Sequence, residues 1–322
     1  MKILVLTKIT SYFEKLIKLY SKKYDLEWYT NENLDGILPE VEAVIGASLT
    51  EEQIKKAKNL KIIFVPWTGT DKLPWRIIRE KNIIVSNSHG NGKIVAERAL
   101  ALALTLLGRV VEYHNDLIKG IWHGFVKGFR EEDYWISLQN KSVSILGTGV
   151  IGRQLAKLLK GFDCKIIGFK RHIEKLEGFD YITNSIEDAI LAAHIIFLTL
   201  PLTKETFHII NKDILNKMEG KFLINVGRGE LIDEEALYNA LSNGKLLGFA
   251  SDVWYEYPDK NRRVVLPFHY PFHTFKNVVI SPHVGGFTLE GQIGRIDELF
   301  ENILSYLKTG KPKNIVDPEK MY

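Results

Sequence analysis

The run Ser142–Val143–Ser144–Ile145–Leu146 leads straight into Gly147–Thr148–Gly149–Val150–Ile151–Gly152, and then into Arg153–Gln154–Leu155–Ala156–Lys157–Leu158–Leu159. Five residues of strand character, a G-x-G-x-x-G turn and apolar residues at helical spacing follow in the order a βα unit needs. The first glycine permits the tight turn, the second lets backbone approach a pyrophosphate, and the third lets the helix pack on the strand. Gly147, Gly149 and Gly152, with the amides of Val150 and Ile151 at the helix N-terminus, are therefore candidates for holding phosphates, aided by the helix dipole. Lys165–Ile166–Ile167–Gly168–Phe169 supplies the second strand of the unit. A glycine pattern alone is commonly an ordinary loop. A strand before it, a helix after it and a strand again make it a dinucleotide site.

Outward from this unit, strand-like runs alternate with helix-like ones, the pattern of parallel sheets covered by helices. The first set is Ile3–Leu6, Leu26–Tyr29, Ala43–Gly46, Ile62–Pro66 and Ile83–Ser86, with amphipathic segments at Tyr12–Tyr20 and Glu51–Lys58. Thr50, ahead of Glu51 and Glu52, has the character of a helix N-cap. The second set is Val143–Leu146, Lys165–Phe169, Ile195–Leu200, Phe222–Val226, Leu247–Ala250 and Val278–Ser281, with Tyr181–Thr183 as a short addition. Between the sets, Gly92 to about Lys119 reads as one helix of ~27 residues, about 40 Å long. Its core, Ile94–Leu104, is apolar on nearly every side, which predicts a helix buried between two bodies as a bridge. Gly120–Asn140 reads as an ordered loop, Asp252–His283 as a long loop, and Glu290 to about Leu307 as a helix whose sequel can fold back on the first domain. The expected fold is α/β with two doubly wound, Rossmann-like domains: residues 1–91 plus 291–322, and residues 92–290.

Composition narrows the function classes. The chain has 322 residues, 45% hydrophobic and 25% charged, which is ordinary for a globular protein with a real core. One cysteine, Cys164, excludes an internal disulfide framework and a thiolate metal cluster, and fits a reducing cytoplasm as a buried structural thiol. No apolar run reaches the roughly 18 residues of a membrane span. Met1–Leu6 is too short for a signal peptide and reads as a strand. The net charge of +4 comes from scattered lysines, without the basic-aromatic patch of a nucleic-acid binder.

Four motifs stand at consistent spacings: Gly147-x-Gly149-x-x-Gly152; Leu200–Pro201–Leu202–Thr203-x-x-Thr206; Asn225–Val226–Gly227–Arg228–Gly229 with Ile232–Asp233; and Ser281–Pro282–His283–Val284–Gly285–Gly286. Together they resemble the D-isomer-specific 2-hydroxyacid dehydrogenase family, over nearly the whole chain, including Asn87–Gly90 and Val95–Glu97. The resemblance implies two Rossmann-like domains with a cleft between them, and a homodimer joined through the nucleotide domains. It implies that Leu200, Pro201, Thr206, Val226, Gly227, Asp252 and Gly285 contact the dinucleotide, Asp252 at its nicotinamide end. It also implies that backbone amides of Trp67, Thr68 and Gly69 meet the substrate.

The chemistry follows independently from the residue types. Reducing a 2-keto acid needs a cation for the carboxylate and a proton donor for the carbonyl oxygen. Arg228, in a glycine-flanked turn after a strand, can clamp a carboxylate in bidentate fashion. His283 titrates near neutrality and can give and retrieve the proton. By resemblance, Arg228 binds and polarises the substrate and His283 is the acid/base. Three dispersed histidines, His269, His273 and His283, form no ligand pattern, and no metal is expected.

Two departures from the family pattern carry information. Where NAD-using members end the second strand with an acidic residue, this chain has Lys170–Arg171–His172. Lys170 and Arg171 can pair with a 2′-phosphate, which predicts preference for NADP(H), with NAD(H) as the other possibility. Secondly, Asp252–Val253–Trp254–Tyr255–Glu256–Tyr257–Pro258 keeps the aspartate and the proline of the family motif but has Tyr257 in the place of a glutamate that pairs with the catalytic histidine. Either Tyr257 hydrogen-bonds His283, or Glu256 reaches it through a shifted loop, or the pair is absent. Arg262, Arg263, His269 and His273 on the long loop can attract an anionic substrate or contact a partner subunit. The expected function is NADP(H)-dependent hydride transfer with a small 2-keto or 2-hydroxy acid such as glyoxylate or hydroxypyruvate. The alternatives are a formate- or phosphite-type dehydrogenase and a non-catalytic, dinucleotide-responsive binding protein.

Overall fold

The structure is a computed structural model that describes residues 1–322, Asn33 by its backbone alone. In chain order its elements are β1 (Lys2–Val5), α1 (Ser11–Ser21), β2 (Glu27–Tyr29), α2 (Leu34–Ile37), β3 (Ala43–Ile45), α3 (Glu51–Lys56), β4 (Ile62–Val65), α4 (Trp75–Glu80) and β5 (Ile84–Asn87). Then come α5 (Gly92–Leu107), α6 (Val110–Leu117), β6 (Ser142–Leu146), α7 (Val150–Leu159), β7 (Lys165–Phe169), β8 (Tyr181–Thr183), α8 (Ile186–Leu191), β9 (Ile195–Leu198) and α9 (Lys212–Asn216). The chain ends with β10 (Lys221–Asn225), α10 (Glu234–Ser242), β11 (Leu246–Ser251), β12 (Val278–Ile280) and α11 (Leu289–Thr309). Two compact units result, one of Met1–Asn91 with Phe287–Tyr322, the other of Gly92–Gly286.

The first unit is built on a parallel five-stranded sheet in the order β2-β1-β3-β4-β5. Its strands are apolar on both faces because a parallel sheet is covered on both. Leu4, Val44, Ile63 and Val85 face one core, whereas Ile3, Ala43, Ile45 and Phe64 face the other, against Phe13 of α1 and Ile296, Leu299, Phe300 and Ile303 of α11. Thr50 caps α3 as expected, accepting from the Gln53 amide while the Gln53 side chain accepts from the Thr50 amide, a reciprocal capping box. After α11 the chain returns to the sheet edge, where the Val316 amide donates to Val85 O at 2.9 Å.

The second unit holds a parallel seven-stranded sheet in the order β12-β11-β10-β9-β6-β7-β8. The order reverses direction between β6 and β9, which makes the carboxyl ends of those strands the switch point of the sheet. Alternation with period two sends Ile195 and Phe197 to one face, Ile196 and Leu198 to the other. The first face is covered by α5 and α7, which pack closely enough that a Cβ on Gly92 would stand 2.6 Å from Val150 Cγ1. Cys164 is buried in that core.

The single long helix expected from Gly92 to Lys119 is not formed. It breaks into α5 and α6 at Arg109, whose backbone is left-handed at φ 51°. The Gly108 amide closes α5 on Leu104 O, and Arg109 is then held by the carboxylate of Glu112 at 2.7 Å, the Tyr113 ring and the Glu132 carbonyl. Nor is α5 buried on all sides: its apolar residues Ala101 and Leu104 are exposed, and it packs as a layer of the second unit. Among the described residues no helix is long and apolar enough to cross a membrane.

Candidate active site

The glycine turn sits where β6 ends at the switch point. Gly147 has φ 110°, and a Cβ there would stand 2.9 Å from Leu200 N and Thr199 Oγ1, so glycine is required both by conformation and by approach. Thr199 Oγ1 donates to Gly147 O at 2.7 Å and ties the turn to the end of β9. Gly152 lies so close over Gly147 O that no side chain fits, which is the close helix–strand packing its position predicts. Above Gly149, in contrast, nothing lies within 4 Å of a would-be Cβ, and α7 starts without a side-chain cap. An open surface of free amides at a helix N-terminus is what a pyrophosphate needs, so these residues fit a dinucleotide.

The neighbouring loops converge on the turn. Leu200 O approaches Gly227, where a Cβ would stand 2.7 Å away. Thr206 Oγ1 donates to Pro201 O at 2.7 Å and accepts from the Thr203 amide at 2.8 Å, so Leu200–Thr206 is a self-braced loop. On the other side the Gly147 amide donates to Phe169 O at 3.2 Å, bringing Lys170 and Arg171 up to the turn. Gly147, Leu200, Pro201, Gly227, Lys170 and Arg171 are thus gathered at the ends of β6, β9, β10 and β7.

Arg228 follows β10. The Asn225 carboxamide accepts from the Gly227 amide at 3.0 Å and donates to Arg228 O at 2.8 Å, fixing the turn that presents the guanidinium. Gly229 abuts the Trp254 backbone with no room for a Cβ, so the Arg228 turn lies against the segment after β11. That segment carries Tyr257, whose Oη accepts from the Trp254 amide at 3.1 Å and whose ring centroid lies 5.5 Å from that of His283. Burial raises the Tyr257 phenol above its ordinary range, with the Arg228 charge acting in the opposite direction. It is therefore neutral near pH 7.

His283 has a left-handed backbone, φ 57°, a conformation uncommon outside glycine and worth about 1–3 kcal/mol of local strain. Asp252 holds it there. This buried carboxylate accepts from Ser281 Oγ, from the Val284 amide at 3.1 Å and from the Gly285 amide at 2.7 Å, bracketing His283 on both sides. Trp254 Nε1 donates to Ser281 O at 2.7 Å, and Arg98 Nη2 donates to Ser281 Oγ at 2.7 Å. Asn225, Arg98 and Trp254 were not singled out in the sequence as supports of the site. Only the motif positions of Asn225 and Trp254 hinted at them.

Glu256 does not go to His283. Its carboxylate is held by Arg262 Nη2 at 2.7 Å and lies 3.3 Å from His269 Nε2, while His269 Nδ1 meets Glu234 Oε2 at 2.7 Å. Hydrogen bonding to Glu234 raises the His269 imidazole, and Arg262 keeps Glu256 below the usual carboxylate range. Arg262 and His269 therefore brace the long loop against α10, and His273 stacks on Phe268 with ring centroids 5.7 Å apart. The long loop runs into β12, the strand expected at Val278–Ser281. Trp67, Thr68 and Gly69 belong to the first unit, where Asn87 Nδ2 donates to Thr68 O at 2.8 Å and Thr68 Oγ1 to Ser88 O at 3.1 Å.

Comparison with known proteins accords with this geometry. The family model for the D-isomer specific 2-hydroxyacid dehydrogenase NAD binding domain matches residues 100–285. The glyoxylate reductase of Thermococcus litoralis is 31% identical over 322 residues, covering 95% of this chain and 94% of that one. The chloroplastic/mitochondrial formate dehydrogenase of Arabidopsis thaliana is 27% identical over 272 residues, covering 81% of this chain and 68% of that one. The crystal structure of the NADPH-dependent glyoxylate/hydroxypyruvate reductase of Sinorhizobium meliloti, in complex with NADP and malonate, is similar with a TM-score of 0.78 at 26% identity, covering 99% of this chain and 97% of that one. With motifs, sheet order and family model in agreement, the chain belongs to the D-isomer-specific 2-hydroxyacid dehydrogenase family.

Proposed function

We propose that this protein is an NADP(H)-dependent reductase of a small 2-keto acid such as glyoxylate or hydroxypyruvate. The observation that carries the reading is the Tyr257 ring beside His283, on the segment against which the Arg228 turn lies, with Asp252 bracketing the histidine in a strained backbone conformation. Arg228 binds the substrate carboxylate through its planar fork of donors and draws electron density from the adjacent carbonyl. His283 gives its proton to the carbonyl oxygen in reduction and takes it back in oxidation. The nicotinamide of a bound dinucleotide supplies the hydride. Gly147, Gly149 and Gly152, with the amides of Val150 and Ile151, hold its phosphates, and Lys170 and Arg171 hold a 2′-phosphate.

The test is oxidation of NADPH and of NADH by the purified protein with a panel of small 2-keto acids across pH. Reduction of at least one acid, with NADPH preferred, is expected. His283→Ala should lose roughly 10²–10⁴ in rate. Undiminished turnover in that variant would remove His283 from the mechanism.

A second reading, oxidation of a small anion of the formate type, is favoured by Tyr257 standing beside the His283 ring while Glu256 is engaged with Arg262 and His269. Reduction of NADP⁺ by formate, with no 2-keto acid reduced, would establish it. Ile118, Trp122, Phe125, Val126, Phe129 and Trp135 are exposed in one run after α6, and a second copy of the chain covering them makes the homodimer that we propose. Sedimentation at micromolar concentration checks it. Buried Cys164, its thiol raised by burial, fits a reducing compartment, and we assign the protein to the cytoplasm.

A further inference from the structure

The basic turn after β7 holds an anion of its own. The Lys170 amide donates to Thr183 O at 3.0 Å, and the preceding Gly168 is packed so tightly that a Cβ would stand 2.8 Å from Thr148 Cγ2 of the glycine turn. The backbone at 168–170 is therefore fixed beside the dinucleotide turn. From there the Lys170 ammonium donates to Glu174 Oε1, four residues on, with the Lys170 side chain 24% and the Glu174 side chain 56% exposed. Arg153, one residue after Gly152, and His172 act on the same carboxylate and, with Lys170 as the largest influence, keep it below the usual range. The Lys170 ammonium is thus paired with an anionic group contributed by the chain itself.

We propose that Glu174 is a specificity-determining residue: its carboxylate occupies the Lys170 ammonium that a ribose 2′-phosphate would take, and so narrows the discrimination between phosphorylated and unphosphorylated dinucleotides. The inference rests on Lys170 belonging to the adenosine-ribose end of the site, as proposed above. A phosphate monoester carries about −1.5 to −2 charges and three acceptor oxygens near pH 7, against one charge and two oxygens on a carboxylate, so it wins Lys170 in the bound state. It must first break the Lys170–Glu174 pair and then stay beside a displaced negative charge. An unphosphorylated ribose meets neither penalty. The half-exposed position of Glu174 leaves it free to swing into solvent, so the contest is one of charge and not of space.

The experiment is equilibrium binding to the 322-residue chain, unaltered and as Glu174→Gln, of NADPH, NADH, adenosine 2′,5′-bisphosphate and AMP, by calorimetry at low and high salt. Expected for Glu174→Gln is a gain of about three- to fivefold for the two 2′-phosphorylated ligands, a change below about 1.5-fold for NADH and AMP, and a smaller gain at high salt. Glu174→Ala should reproduce the pattern, since the effect requires only loss of the charge. Equal changes for phosphorylated and unphosphorylated ligands, or no change, would overturn the proposal. The two assignments fail separately. A native chain that prefers NADH, whose Glu174→Gln form gains only toward 2′-phosphates, retains this inference and overturns the NADPH preference. A native chain that prefers NADPH with an unchanged ratio in both variants does the reverse.

Discussion

Asp252→Asn is the substitution that most directly tests how the site is held. The native carboxylate, 3% exposed, accepts three hydrogen bonds from groups on both sides of His283. The carboxamide keeps one acceptor oxygen and turns an NH₂ toward one of those donors. One backbone amide, Val284 or Gly285, then lacks a partner, at about 1–3 kcal/mol, and a charge-assisted bond is weakened to a neutral one. Relaxation of the left-handed His283 returns part of this, about 1 kcal/mol. The net expected loss is about 1–3 kcal/mol, read as a lower midpoint in urea unfolding followed by circular dichroism. Activity should fall further than stability alone would dictate, by about 10²-fold, because relaxation moves the imidazole by roughly 1 Å. Asp35→Asn, in an exposed pair with Lys56, serves as a control and leaves the midpoint unchanged. An Asp252→Asn protein with a native midpoint and native turnover would refute the role given to this carboxylate.

The second and third glycines of the turn should separate by mechanism. Gly152→Ala forces a Cβ onto Gly147 O and should lower thermal stability by about 1–3 kcal/mol, whereas Gly149→Ala, with nothing within 4 Å, leaves it unchanged and weakens dinucleotide binding. Scanning calorimetry alongside a binding titration reads both, and equal stability loss in the two would contradict the geometry. Tyr257→Glu places a carboxylate beside the His283 ring, 5.5 Å away in the native pair, and should move the alkaline limb of the keto-acid reduction profile up by about 1–2 pH units. An unmoved limb counts against His283 as the proton donor. His123 bridges Asp133 at 2.8 Å and Asp116 at 3.0 Å, with Tyr113, Lys276, Glu112 and Arg109 around it. Hydrogen bonding to Asp133 and then Asp116 raises the imidazole, while both carboxylates are lowered by it. The imidazole's contribution is full below about pH 6.5, its unfolded value, and is lost as pH rises through the raised one; the carboxylates' contribution is present above about pH 3.9 and lost as pH falls through their lowered values. Residues 120–134, corrected for intrinsic rates, should therefore open more at about pH 8.5 than at about pH 5.5 in hydrogen exchange, a difference that His123→Gln abolishes. Equal opening at both pH values would dismiss the clasp.

Both sheets were legible because parallel strands are buried on two faces and read as continuous apolar runs such as Ile195–Ile196–Phe197–Leu198. Thr50 was legible because capping is local chemistry within three residues. The break at Arg109 was not. Ala and Leu run on to Leu107 at good helical propensity, and the left-handed residue is stabilised by the Glu132 carbonyl, 23 positions away. The destination of Glu256 was equally hidden. A one-residue displacement on an extended segment told that its side chain points away from the glutamate position, but not that His269 and Arg262 would receive it. Glu174 carried no motif at all, and it became visible only through the i,i+4 reach of Lys170.

The first unit joins residues 1–91 to residues 287–322, with the second unit inserted between them. One face of its sheet, with Ile3, Ile45 and Phe64, is covered by α11, and the edge strand β5 is met by Val316. On a ribosome, residues 92–286 take roughly 10–40 s to appear at about 5–20 residues per second. For that interval the nascent sheet lacks the cover of α11, whereas by its end the inserted unit has every residue it needs to fold. The inserted unit is thus expected to mature first and the flanking unit last. Cells short of chaperones should accumulate aggregates seeded by residues 1–91, not by the unit that carries the glycine turn.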